Sequence, residues 1–171
     1  MKTIACIIPS YNQQEFLPEA IESVLAQKRK PNEFIIVDDG STDSSLEYAK
    51  SYETKGVKVI SQVNKGLPSA RNTGIMNTTS EYILFLDADD MLMENALERI
   101  MEVAEETDAD VIAPSFRCFG TRQGDVILQP QIIIQDFIGG NRIGYFSAIK
   151  RSVLLEVGGY SPRMVEGWED F

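Results

Sequence analysis

Three carboxylates stand close together in the sequence, at Asp87, Asp89 and Asp90, directly after the apolar residues 84–86. Carboxylates at this density repel one another unless a positive charge lies among them. Their oxygens suit Mg²⁺ or Mn²⁺, which hold few protein carboxylates and complete their coordination with phosphate oxygens and water. The alternative is an acidic loop that stabilises the start of the helix predicted at residues 93–106, because a helix N-terminus favours negative charge.

Two further aspartates, Asp38 and Asp39, follow the apolar residues 34–37. One of these carboxylates could accept a hydrogen bond from the imide N–H of a nucleotide base, with Tyr11 available to stack on that base. The alternative is that both accept hydrogen bonds from loop amides. Arg71 could pair with these aspartates or with a phosphate, and an ordinary surface ion pair is the other interpretation.

Composition excludes several kinds of chemistry. The 171 residues include no histidine, which rules out Ser-His-Asp and Cys-His catalysis and any histidine general base. The formal net charge of −10 makes nucleic acid an unfavourable partner. No apolar run reaches the ~20 residues of a transmembrane segment, and the N-terminus lacks the apolar region of a signal peptide. We therefore expect a cytoplasmic protein, with peripheral attachment at the inner face of the membrane as an alternative.

The candidate residues follow short apolar runs that alternate with helix-period segments. The runs are residues 4–8, 34–37, 57–60, 82–86 and 110–113, and the helical segments are about 15–27, 43–52, 67–77 and 93–106. This alternation predicts an α/β fold with a doubly wound, mostly parallel sheet and helices on both faces. Ligands bind beyond the carboxyl ends of the strands in such sheets, which is where residues 9–12, 38–43 and 87–90 fall.

Three smaller expectations concern the order and packing of these elements. Asn12 and Glu15 have the spacing of a capping pair at the first helix. Gly74 lies inside the predicted third helix, where we expect it to allow close packing. The alternation ends near residue 114. Beyond it we expect a strand pair at 116–120 and 126–128, a strand at 144–149 and a helix at 151–157.

Taken in order, these segments resemble the family 2 glycosyltransferases of the GT-A fold. The matching strings are IPSYN at 8–12, VDDGSTD at 37–43, NKG at 64–66, ARN at 70–72 with Gly74, LDADD at 86–90, VGGY at 157–160 and WED at 168–170. The resemblance covers the whole chain and implies one GT-A domain, residues 1–171. Residues 1–113 would be its nucleotide-binding part, and residues 114–171 the start of an acceptor-binding part that is incomplete at its C-terminus.

The resemblance implies metal-dependent, inverting transfer of a sugar from a nucleoside diphosphate sugar, usually a UDP-sugar. The acceptor would be a saccharide, lipid-linked or other hydroxyl, as in polysaccharide or glycoconjugate synthesis. By position, Asp39 resembles the residue that binds the uracil imide, with Pro9 and Tyr11 lining that pocket, and Arg71 resembles the basic residue that supports the nucleotide. A divalent ion would also bridge the donor diphosphate to a protein of negative net charge.

The same resemblance assigns the remaining roles. Asp87 and Asp89 resemble the pair that holds ribose and the Mn²⁺– or Mg²⁺–diphosphate, with Asp90 close by. Asp170 falls where the family has its general base, and Glu169 is the second candidate. Inversion by direct displacement needs one such carboxylate on the acceptor side. The chain ends one residue after Asp170, and we expect it to bind nucleotide but to transfer sugar poorly, because a base at a chain end lacks supporting contacts.

Three other functions compete with this interpretation. A receiver-type phospho-acceptor switch also has paired aspartates after one strand, a third after another and Mg²⁺ between them; its lysine could only be Lys150. A sugar-phosphate nucleotidyltransferase would need a Gly-rich basic loop after the first strand, and residues 9–12 are not one. A non-catalytic UDP-binding remnant is the third alternative.

Overall fold

The computed structural model describes residues 1–120, 123–128 and 146–161. The strands are β1 (Ile4–Ser10), β2 (Glu33–Asp38), β3 (Lys58–Ser61), β4 (Tyr82–Phe85), β5 (Val111–Ile112), β6 (Phe116–Cys118), β7 (Gly124–Val126) and β8 (Ala148–Lys150). The helices are α1 (Leu17–Leu25), α2 (Ser45–Ser51), α3 (Leu67–Met76), α4 (Ala96–Thr107) and α5 (Arg151–Glu156), with a 3₁₀ turn at Glu53–Lys55.

Six strands form one sheet in the order β3-β2-β1-β4-β8-β5, and β6 and β7 form a separate antiparallel pair. β1 lies at the centre, parallel to both β2 and β4, with Ile7 opposite Ile35 on one side and Phe85 on the other. β8 runs antiparallel to its neighbours β4 and β5. The predicted mostly parallel sheet and the strand pair after residue 114 are therefore confirmed.

Helices cover both faces of the sheet, as the sequence predicts. The side chains of Cys6, Ile8 and Ile36 pack with residues of α1 and α2, and Leu84 on the same face packs with α4. The opposite face, which includes Ile7 and Phe85, packs against α3 and α5. The central strand is buried on both faces because both are covered, and this explains its uninterrupted apolar run.

Helix α3 lies unusually close to β1 at Gly74. A Cβ atom on this residue would lie 2.6 Å from Cγ2 of Ile7, a separation that ordinary packing does not allow. The expectation that Gly74 serves close packing is therefore confirmed.

The predicted capping pair of Asn12 and Glu15 is wrong. Helix α1 has Phe16 at its N-cap position and no side-chain hydrogen bond there. The Asn12 side chain instead accepts a hydrogen bond from the Thr42 amide at 2.8 Å, and Asn12 adopts a φ of 53°, which asparagine tolerates better than most residues. A long-range contact between two loops thus replaces the local cap.

Candidate nucleotide and metal site

The loops that follow β1, β2 and β3 are joined to one another by hydrogen bonds at the carboxyl edge of the sheet. The Asp39 amide donates to the carbonyl of Ser10 at 2.8 Å, and the Asn12 amide donates to Ser41 Oγ at 3.0 Å. Gly40, with φ +75°, lets the second and third loops touch, because a Cβ there would lie 2.8 Å from the Asn64 nitrogen. The loops that carry Tyr11 and Asp39 therefore share one edge of the sheet.

Asp39 is buried beneath these loops and orders the segment after β3. Its carboxylate accepts hydrogen bonds from Gln62 Nε2 at 2.7 Å, from the Lys65 amide at 3.0 Å and from the Gly66 amide at 2.7 Å. This is the loop-amide role that the sequence left open. The Lys65 amide also lies 3.2 Å from the second carboxylate oxygen, so these donors make four contacts with a group that has about four lone-pair sites. The predicted contact with a uracil imide remains a prediction.

Asp38 and Ser10 lie side by side on β2 and β1 and are both buried. Asp38 Oδ2 accepts hydrogen bonds from the Ser41 amide and from Ser61 Oγ, each at 3.3 Å. Asp38 Oδ1 and Ser10 Oγ have no hydrogen-bond partner among the described residues. Because buried polar atoms are nearly always satisfied, this part of the edge has hydrogen-bonding capacity that the described side chains do not use.

Arg71 and Asp87 join α3 to the loop after β4. Arg71 Nη2 donates to Asp87 Oδ1 at 3.0 Å, and the exposed fractions of the two side chains are 1% and 23%. The Arg71 guanidinium carbon lies 6.0 Å from the ring centre of Phe85 and 5.2 Å from that of Tyr160. The alternative of an ordinary surface ion pair is therefore wrong, because the Arg71 side chain is buried against these two rings.

The electrostatics of Asp87 favour a bound cation. Burial raises the pKa of this carboxyl to about 6, although Arg71 acts in the opposite direction, and the negative charges of Asp90 and Asp89 raise the pKa further. The Asp90 amide donates to the Asp87 carbonyl at 3.0 Å, which closes a turn with the exposed Asp89 at its tip. A divalent cation would stabilise the ionised form of Asp87 against burial and against repulsion by Asp89 and Asp90.

Two carboxylates, Asp87 and Asp89, are thus the candidate metal ligands. No group of three His, Cys, Asp or Glu side chains within residues 1–120, 123–128 and 146–161 has an arrangement that could hold a metal by itself. Mg²⁺ commonly binds through one or two carboxylates together with substrate phosphates and water. The donor set therefore fits a cation that arrives with a diphosphate better than one that the protein holds alone.

Two polar side chains support the segment that follows these carboxylates: Ser23 in α1 and Gln27 just after it. Neither residue was predicted from the sequence. Ser23 Oγ accepts a hydrogen bond from the Leu92 amide at 3.0 Å. The Gln27 side chain donates to the Met93 carbonyl at 2.8 Å and accepts from the Leu97 amide at 3.0 Å. A usable signal existed, because Gln27 continues the buried spacing of Ala20 and Val24, where a polar residue needs a partner.

The remaining predicted residues lie as follows. Pro9 is buried on β1, and Tyr11 is exposed at the carboxyl edge. Asp170 and Glu169 lie outside the described residues. Lys150 is opposite Tyr82 at the amino end of β4 and pairs with Asp110 at 2.9 Å. It therefore lies at the wrong end of the sheet to serve Asp87, and the receiver-type switch is wrong.

Comparisons with known proteins point to one family. Residues 5–165 match the family model described as "Glycosyl transferase family 2". The chain is 39% identical over 115 residues to the "Uncharacterized glycosyltransferase EpsJ" of Bacillus subtilis, covering 66% of this chain and 33% of that protein. It is 36% identical over 125 residues to "Glycosyltransferase GlyG" of Streptococcus pneumoniae, covering 71% of this chain and 42% of the relative.

Solved structures share the fold. S. aureus TarS 1–349 in complex with UDP superposes with a TM-score of 0.83 at 22% identity, covering 99% of this chain and 53% of that one. The mannosyltransferase PcManGT from Pyrobaculum calidifontis, in complex with GDP-Man and Mn²⁺, gives a TM-score of 0.73 at 18% identity, with 98% and 49% covered. The GT-A fold expected from the sequence is confirmed. The chain spans about a third to a half of the length of these proteins.

Proposed function

Because the chain belongs to glycosyl transferase family 2, we propose that it binds a nucleoside diphosphate sugar through a divalent cation and transfers the sugar to an acceptor hydroxyl with inversion. The observation that carries the proposal is the Arg71–Asp87 pair. It holds a partly exposed carboxylate beside Asp89, at the edge where Asp39 is buried. We propose UDP as the nucleotide, which is also the ligand in one of the TarS structures.

Asp87 and Asp89 would hold Mn²⁺ or Mg²⁺, and the raised pKa of Asp87 supports this because a nearby cation offsets the cost of a buried negative charge. When bound, the ion would stabilise the charge that develops on the leaving diphosphate. Arg71 would act by keeping Asp87 in place. The mannosyltransferase with GDP-Man and Mn²⁺ supports a divalent ion in this fold and makes GDP the competing nucleotide to test.

Asp39, Pro9 and Tyr11 would form the base pocket. Asp39 would accept the N–H of the uracil imide at one of the two oxygens that the Lys65 amide now shares, and the exposed ring of Tyr11 is available for stacking. Asp39 stays ordered by its bonds to the 62–66 segment, so binding would need little rearrangement of this carboxylate.

Asp170 would remove the proton of the acceptor hydroxyl as the new bond forms, and one carboxylate is sufficient for inversion. Residues 1–113 would serve the nucleotide, and residues 114–171 would begin the acceptor side, where a saccharide, lipid-linked or other hydroxyl binds. The cytoplasmic location and the synthesis of a polysaccharide or glycoconjugate remain predictions. Within residues 1–120, 123–128 and 146–161, every helix is too short or too polar to span a bilayer.

Calorimetric titration with UDP, GDP and ADP, each with and without Mn²⁺, tests the proposal. We expect UDP to bind most tightly and to lose its binding when Mn²⁺ is removed. Asp89→Asn should weaken Mn²⁺-dependent binding by more than about tenfold, because mutating even an outer-shell partner of a metal site typically costs about 10–100-fold in metal affinity. Asp125→Asn, on the β6–β7 hairpin, is the matched control.

Equal binding of UDP with and without Mn²⁺, or an Asp89→Asn variant that binds like the control, would contradict the metal site. Release of UDP from UDP-sugars tests transfer separately. A chain that binds UDP and Mn²⁺ but never turns over a donor would favour the non-catalytic UDP-binding remnant.

A further inference from the structure

The VGGY string at residues 157–160 has no role in the function proposed above, yet it contacts the donor site directly. Helix α5 ends in a Schellman motif: the Gly159 amide donates to the Leu154 carbonyl at 2.8 Å and the Gly158 amide to Leu155 at 3.2 Å. Gly158 has a φ of +85°, the left-handed conformation that this motif needs. The motif turns the chain back so that Tyr160 meets α3.

Two reciprocal hydrogen bonds then fasten Tyr160 to α3. Asn72 Nδ2 donates to the Tyr160 carbonyl at 2.7 Å, and the Tyr160 amide donates to Asn72 Oδ1 at 2.8 Å. We call this pair of bonds the Asn72–Tyr160 bridge. Gly159 permits it, because a Cβ atom there would lie 2.4 Å from Asn72 Oδ1. The bridge therefore explains why a glycine precedes Tyr160.

The bridge places the Tyr160 ring against the guanidinium of Arg71, the side chain that pairs with Asp87. The ring centre lies 5.2 Å from the Arg71 guanidinium carbon, and the ring meets Phe85 edge-on with 5.5 Å between centres. A guanidinium near two aromatic rings and away from water gains a cation–π attraction and loses rotational freedom. Its Nη2 then stays directed at Asp87.

We propose that Tyr160, fastened by Asn72, is a positioning residue of the donor site: its ring holds Arg71 in the orientation that keeps Asp87 ready for the metal–diphosphate. This inference rests on the proposed function, because it assigns Asp87 to donor binding. Loss of the ring should let the guanidinium swing away, so that binding must reorder it.

Titration of UDP in the presence of Mn²⁺ tests the inference with matched variants of this chain. We expect Tyr160→Leu to weaken UDP binding about tenfold, the effect of losing a desolvated cation–π contact, and Tyr160→Phe to stay within about twofold because it keeps the ring. Asn72→Ala should weaken binding severalfold. Tyr48→Leu, on the exposed face of α2, and Asn77→Ala, at the end of α3, are the controls and should bind like the unsubstituted chain.

The double variant Asn72→Ala/Tyr160→Leu decides whether Asn72 acts through Tyr160. Residues on one path are not additive, so the double variant should bind no more weakly than Tyr160→Leu alone. Additive losses would overturn this part of the inference. A folded Tyr160→Leu variant that binds UDP like Tyr48→Leu would overturn the positioning role while leaving the proposed function intact.

A second measurement needs no nucleotide. In ¹⁵N–¹H correlation spectra, the Arg71 Nε–H signal should be sharp and shifted by the rings in the unsubstituted chain and in Tyr160→Phe. It should broaden or move in Tyr160→Leu and Asn72→Ala. An unchanged signal in Asn72→Ala would overturn the inference even if Tyr160→Leu folded poorly. Failure of the unsubstituted chain to bind UDP would refute the proposed function instead. The Arg71 signal would then still test whether the Asn72–Tyr160 bridge orders Arg71.

Discussion

Arg71 and Asp87 form an asymmetric ion pair: the cation is almost completely buried, whereas the carboxylate keeps 23% of its side chain exposed. Asp87 can therefore contact a ligand, whereas Arg71 is held in place by the residues that bury it. Breaking a buried pair from one side is costly because the other charge stays in place. We therefore expect the loss of Arg71 to affect both stability and binding.

We predict that Arg71→Met lowers the free energy of unfolding by ~2–3 kcal/mol, somewhat less than for a fully buried pair, because water still reaches Asp87. Urea unfolding checks this. Arg117→Met removes the cation of the exposed pair with Asp125 and should leave the unfolding midpoint unchanged. Equal midpoints for the two variants would show that the buried pair contributes nothing to stability.

Gly74→Ala should destabilise the chain although alanine favours helices. The new Cβ would meet Ile7 Cγ2 at 2.6 Å, and overpacking typically costs ~1–3 kcal/mol, against a helix-propensity gain of about 1 kcal/mol. Thermal unfolding measures the balance. Met76→Ala, on the exposed end of the same helix, is the control. A Gly74→Ala variant more stable than the parent would mean that α3 can move away from β1 freely.

Glu33 should make stability depend on pH at the amino end of the sheet. Partial burial raises the pKa of its carboxyl, but hydrogen bonds from Ser80, Thr78 and Thr79 together outweigh burial and lower it. A carboxyl whose folded pKa lies below its unfolded value of ~4.3 contributes stability above that pH. The contribution disappears as pH falls through the folded pKa.

We therefore predict that Glu33→Gln costs ~1–2 kcal/mol at pH 7, the range for a hydrogen-bonded charged group that water still reaches. The difference from the parent should shrink below about pH 4. Chemical unfolding at a series of pH values checks this, with Glu47→Gln on α2 as the exposed control. A difference that stayed constant from pH 7 to pH 3 would contradict the role of the ionised carboxyl.

Gln27→Ala should loosen the segment after the candidate metal ligands Asp87 and Asp89. It removes the acceptor for the Leu97 amide and the donor to the Met93 carbonyl, and a buried amide without a partner costs ~1–3 kcal/mol. Amide hydrogen exchange at Leu97 should accelerate. Gln27→Glu keeps the acceptor and should preserve more of this protection, whereas equal exchange in the two variants would show that the side-chain oxygen is unimportant.

Local patterns predicted much of this molecule correctly. The apolar runs became β1, β2 and β4 within a residue or two. Asp38 is the last residue of β2, and Asp39 and Asp87 follow their strands as expected. Strand periodicity and parallel topology are enough to place such residues at one edge. The tight contact at Gly74 was also anticipated, because a glycine inside a helix needs a packing reason.

Contacts between distant segments were not predicted. Asn12 bonds to Thr42 and does not cap its own helix, Gln27 supports a segment about 66 residues away, and Lys150 lies at the far end of β4 because β8 is antiparallel. Each of these contacts depends on the order and direction of the strands. Secondary-structure propensity and residue spacing carry no information about either.

The amino-acid sequence by itself thus determined the family resemblance, the α/β architecture and the edge at which polar residues collect, since these follow from short-range periodicity and from motifs in order. Only the tertiary structure decided that Arg71 is buried beside Asp87, that Asp39 orders the 62–66 segment and that Tyr160 returns to α3. Burial and partner choice are set by which faces meet, and that is a property of the packed sheet and helices together.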